Sequence, residues 1–148
     1  MKIIFYSSGD NKLARLIGYS YLGSIAEDEL TEKVEQIFLR DENEIKKNLS
    51  YLGDSINNIQ IMALGCYGQN SIVINLVNGL NDIFSISEKI ILINIDSIYN
   101  LYIKLGTAAI NLKWERLGCF LLKKGINSEI MKINKLVEEI REGIVTIL

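Results

Sequence analysis

The chain has 148 residues, 49% of them hydrophobic, with a formal net charge of −2 and no histidine or proline. That length and composition fit one well-filled globular domain, and the mild acidity argues against general nucleic-acid binding. Without histidine neither a Ser-His-Asp nor a Cys-His triad can be built, and two cysteines are too few for a structural zinc site.

The first predicted element is the strand "KIIFYS" (Lys2 to Ser7), a near-continuous apolar run of the kind buried on both faces of a sheet. A helix follows from about Lys12 to Leu22, with Leu13, Leu16 and Ile17 on one face and Gly23 as its C-cap. Thr31 to Tyr51 spaces Val34, Ile37, Phe38, Ile45, Leu49 and Leu52 between charges, which predicts one or two exposed helices before the Gly53–Asn58 punctuation. "IQIMALG" (Ile59 to Gly65) is the second strand and "CYGQN" its turn. The next helix aligns Ile72, Leu76, Val77, Leu80, Ile83 and Phe84.

"KIILINI" (Lys89 to Ile95) is the strongest strand by β-branched content. Asp96 or Ser97 would cap the segment from Ile98 to Leu112, which reads as helix or as helix plus loop around Gly106, and "GCFLLKKG" (Gly118 to Gly125) reads as a fourth strand. A last helix, capped by Asn127 or Ser128, carries Ile130, Ile133, Leu136, Val137, Ile140, Ile144 and Ile147 on one face. Strands alternating with helices predict a single α/β domain: a three-layer, Rossmann-like fold with a mostly parallel sheet of about four strands and helices on both faces. No apolar run approaches the roughly 18 residues of a membrane span. The opening segment is too short for a secretory leader, and Cys66 and Cys119 suit a reducing compartment. The expected location is cytoplasmic.

Ligands of such sheets lie at the carboxyl ends of the strands, so the turns Ser7 to Lys12 and Gly65 to Ser71 are the candidate site. In the first, Ser7, Ser8, Gly9, Asp10 and Lys12 offer backbone amides and a cation to an anion, with Arg15 nearby. Asp10 opposes that role unless it caps the helix or binds a metal. In the second, Gly65, Cys66, Gly68, Gln69 and Asn70 supply further donors. Neither turn matches GxGxxG or GxxxxGK[ST], and Ile72 stands where a cysteine phosphatase loop would carry arginine. Helix-terminal amides would lower the pKa of Cys66, whereas a small buried thiol is its structural alternative. Trp114, between Lys113 and Arg116, either stacks a ring or covers a core edge.

The start "MKIIFYSSGD" running into "ARLIGYSYLG", then "IQIMALGCYGQNSIVINLVNGL", "EKIILINI" and "LGCFLLKKGI", together resemble the bacterial family known as domain of unknown function 3189, from spore-forming, AT-rich lineages. That resemblance implies a small α/β fold, and a Cys- and His-containing turn after the first strand. Here Ser7 and Ser8 stand in that turn and no histidine follows. The family carries no activity over, and no motif specifies a cofactor, a metal or a catalytic residue. Three functions stay open. The first is a non-catalytic binding or regulatory module with an anion or nucleotide at the strand ends. The second is an enzyme acting on a phosphorylated small molecule through Asp10, Cys66 or Asp96. The third is a structural subunit that pairs with itself or a related protein through the Ile130–Ile147 face. The expected partners are thus a small anionic ligand and a homo-oligomeric or related chain, with neither nucleic acid nor membrane.

Overall fold

A computed structural model describes residues 1–39, 48–84 and 88–147. The apolar run at the start forms strand β1 (Lys2–Ser7) with the expected bounds, and Ile3, Ile4, Phe5 and Tyr6 are all buried. It is the centre of the sheet. Strand β3 (Gln60–Gly65) pairs parallel to it from Lys2↔Gln60 to Ser7↔Gly65, and strand β4 (Ile90–Asn94) from Lys2↔Ile90 to Tyr6↔Asn94.

One strand escaped the sequence reading. Strand β2 (Leu49–Asp54) lies antiparallel to β3, from Leu49↔Leu64 to Asp54↔Gln60, giving the order β2-β3-β1-β4. The sheet is therefore mixed rather than mostly parallel. Leu49 and Leu52 complete a helical spacing in the sequence, and Gly53 reads there as a turn. In the fold Gly53 instead follows a bulge after Tyr51, which interrupts the period-2 signal of a strand. Ile45, assigned to the same predicted helix, lies outside the described residues. Val34, Ile37 and Phe38 do form a helix, α2 (Val34–Leu39), but all three are buried.

Helix α1 (Lys12–Tyr21) buries Leu13, Leu16 and Ile17 as their spacing predicted, and the chain leaves it at Gly23 with φ +72°. Helix α3 (Asn70–Phe84) joins β3 to β4, a crossover past β1. The chain clusters into two compact units. One comprises Met1–Gly18 and Asn43–Asp96, with the sheet; the other comprises Tyr19–Glu42 and Ser97–Leu148.

The second unit is built on a hairpin of helix α4 (Leu101–Asn111) and the 33-residue helix α5 (Glu115–Ile147). The predicted strand Gly118 to Gly125 lies inside α5. Its two glycines mark helix contacts, not strand ends. A Cβ on Gly118 would sit 2.9 Å from the Gly106 carbonyl oxygen, and one on Gly125 2.9 Å from the Ile103 nitrogen. Asn100 caps α4 by accepting from the Ile103 N–H at 2.9 Å, and its Nδ2 donates to the Gly125 carbonyl and to Ser128 Oγ, both at 2.9 Å. Ser128 is thus interior to α5 rather than the cap of a separate helix, and its hydroxyl donates back to Gly125. Ile133 and Val137 from the predicted C-terminal face are buried.

Trp114 falls in the elbow between α4 and α5, after Lys113 at φ +65°, and is 61% exposed. It does not cover a core edge. Among the described residues no helix is long and apolar enough to cross a membrane.

Candidate functional site

Parallel pairing of β1, β3 and β4 brings the carboxyl ends of three strands to one edge, and the turns that follow them hydrogen-bond to one another. Cys66 N–H donates to the Ser7 carbonyl at 2.9 Å, Tyr67 N–H to Gly9 at 3.2 Å and Gly68 N–H to Ser8 at 2.7 Å. The two predicted turns are one structure. Their contact is close enough to exclude a side chain at Gly65: a Cβ there would lie 2.7 Å from the Asn11 nitrogen and 2.8 Å from the Asp10 carbonyl carbon. Tyr67 at φ +46° and Gly68 at φ +81° turn the chain into α3.

Asp96, two residues past the end of β4, occupies the meeting point. Its Oδ1 accepts from the Ser8 N–H at 2.7 Å and from Ser8 Oγ at 3.0 Å, and its Oδ2 accepts from Asn70 Nδ2 at 3.1 Å. Asn94 holds Asp96 from behind, its Oδ1 accepting from the Asp96 N–H at 2.7 Å. A backbone amide, a hydroxyl and a carboxamide at a helix start form the donor set that recognises oxyanions. Here a carboxylate of the chain itself fills it. Asn70 Oδ1, on the same side chain, is buried without a hydrogen-bond partner among the described residues.

Asp10 takes the capping role. Its Oδ1 accepts from the Lys12 N–H at 3.1 Å, its Oδ2 lies 3.9 Å from Lys12 Nζ, and Ser7 Oγ donates to its carbonyl at 2.6 Å. Lys12 and Arg15 are buried rather than presented to solvent. Ser50, from the unforeseen β2, accepts from Asn11 Nδ2 at 2.9 Å and ties the first turn to the sheet. Gln69 is exposed, and its N–H closes the second turn onto the Cys66 carbonyl at 2.9 Å.

Cys66 is buried, and burial first, then the Asp96 carboxylate, raise its pKa above the ordinary 9.0. It is held as a thiol, the opposite of the activation that helix-terminal amides would give. Burial and Asp10 likewise raise Tyr67. Among the described residues no group of three or more His, Cys, Asp or Glu side chains could hold a metal ion.

Asp96 is the residue that sequence reasoning placed least well. Its place ahead of a helical segment suggests a cap or an acid, but α4 takes its cap from Asn100. Its position just past the third parallel strand is the available signal, since Ser8 directly follows β1 and Asn70 opens the helix after β3.

Architecture and edge together define an α/β protein whose parallel core directs three loops to one polar cluster. A family model described as "Protein of unknown function (DUF3189)" matches residues 2–142, and the chain belongs to that family. No curated protein and no solved structure matches it.

Proposed function

We propose that this chain is a binding module for a small oxyanion-bearing, hydroxylated ligand, a sugar phosphate or nucleotide, seated at the carboxyl ends of β1, β3 and β4. One observation carries the reading: Ser8 and Asn70, donors from two separate strand–helix turns, converge on a single carboxylate. Asp96 marks where the ligand's oxyanion would sit, and the ligand enters by displacing it. The buried Asn70 Oδ1 calls for a donor, which a ligand hydroxyl supplies. An enzyme reading would rest on Cys66, Asp10 or Asp96. Cys66 is a buried thiol, and both carboxylates are engaged in internal hydrogen bonds, so binding is the reading favoured.

Thermal melts of the full chain and of Asp96→Ala test this, with phosphate, sugar phosphates and nucleotides each compared with chloride at equal ionic strength. At least one ligand should raise the wild-type Tm and should raise that of Asp96→Ala further, because the vacated seat no longer competes. At a ligand concentration of 100 Kd the stabilisation is about 2.7 kcal/mol. No shift in either protein with any of these ligands refutes the reading.

A further inference from the structure

The sheet has two edges, and they are built differently. β2, at one edge, is interrupted by a bulge, contains Gly53 and ends on Asp54, all features that discourage another strand from pairing. β4, at the other edge, reads IILIN: it carries no charge, glycine or proline, and its register with β1 runs unbroken. Successive residues of a strand point to opposite faces, yet Ile90, Ile91, Leu92 and Ile93 are all only half-buried. Both faces of this edge are therefore incompletely covered.

The preceding helix has the same character. α3 carries one charge, Asp82, in its 15 residues, and its apolar residues gather on one side, opposite Asn75, Asn78, Asn81 and Asp82. Such a face is expected to pack against other apolar surface. Val73, Ile74 and Val77 are half-buried, but Ile72, Leu76, Leu80 and Ile83, spaced by four, four and three residues into one stripe, are 62%, 60%, 40% and 76% exposed. Two consecutive elements thus expose apolar residues of the kind that ordinarily pack.

We infer that a second copy of this chain covers them, with β4 pairing antiparallel to its own counterpart about a two-fold axis. Three features select that occupant. The open edge of β4 accepts a strand, and in full self-overlap it would pair Leu92 with Leu92 and Ile91 with Ile93, with Ile90 facing the neutral Asn94. The patch is almost uncharged, so it meets its own image without like-charge repulsion and offers an acidic or basic partner nothing to recognise. Finally, a two-fold perpendicular to the sheet leaves both α3 helices, each about 22 Å long, on the same side of an eight-stranded continuous sheet, stripe towards stripe. Such an isologous contact closes on itself and does not grow. The inference does not rest on the ligand reading above.

Sedimentation equilibrium of the full chain tests it. The wild type should have twice the 16.8 kDa chain mass. Ile72→Glu and Ile83→Glu, both at exposed positions, should each weaken association by at least about tenfold, the equivalent of 1.4 kcal/mol, with unchanged far-ultraviolet circular dichroism. Hydrogen exchange supplies a readout that needs no variant: amides of residues 90–94 should become slower as protein concentration rises. A wild-type monomer throughout, a dimer indifferent to both substitutions, open-ended oligomers, or exchange at 90–94 independent of concentration would each overturn the proposal.

Discussion

Asp96 and Cys66 show how one side chain sets the chemistry of another. The Asp96 carboxylate takes three hydrogen bonds from Ser8 and Asn70, and its charge adds to burial in holding Cys66 protonated. Iodoacetamide should therefore alkylate Cys66 slowly near neutral pH. Asp96→Asn should quicken the reaction a few-fold, since removing a negative charge favours the thiolate. Peptide mapping of the modified protein follows the rate at that cysteine. Gly65 makes a second prediction at this scale. A Cβ there meets backbone atoms of Asp10 and Asn11, which cannot rotate away as a side-chain tip would. Gly65→Ala should cost about 1–3 kcal/mol in urea unfolding and disturb the turn contact on which the proposed seat depends.

At the scale of elements, the α4–α5 hairpin separates local preference from tertiary demand. Glycine inside a helix ordinarily costs about 0.5–1 kcal/mol relative to alanine. Gly143 lies in α5 with open space where a Cβ would go, so Gly143→Ala should stabilise by about that amount. Gly118 lies in the same helix against the Gly106 carbonyl and Ile110. Gly118→Ala should destabilise instead, by about 1–3 kcal/mol. Paired thermal melts of the two variants check the opposite signs. The glycines that made "GCFLLKKG" resemble a bounded strand are there because α4 approaches closely, a cause no local window contains.

Across the whole molecule, each compact unit carries a carboxylate poised by a lysine. Lys2 holds Glu88 below the ordinary 4.5 in the unit that contains the sheet. Lys132, helped by Asn100, does the same for Glu129 in the helical unit. Both groups bind protons more weakly when folded than unfolded, so the stability they add is present above about pH 4.5 and is lost as pH falls through their depressed folded values. Stability by urea unfolding should be flat near neutrality and decline on acidification. The decline should be shallower in a Glu88→Gln, Glu129→Gln double variant.

The sequence by itself determined three parallel strands, the helices that follow two of them, and the turns where their carboxyl ends meet. Continuous apolar runs and 3.6-residue spacing are local signals, legible without knowing what packs on them. It also placed Ser8 and Asn70 at one edge through topology, because parallel strands must direct their carboxyl ends the same way. Tertiary structure alone decided the antiparallel β2, whose pairing with β3 overrides a helix-like spacing, and the single long α5, whose Gly118 and Gly125 answer to the close approach of α4. It alone decided that Asp96 fills the seat between Ser8 and Asn70. Each of those outcomes depends on a partner in another element, 88 residues away for Ser8 and Asp96, and such pairing leaves no periodicity to read.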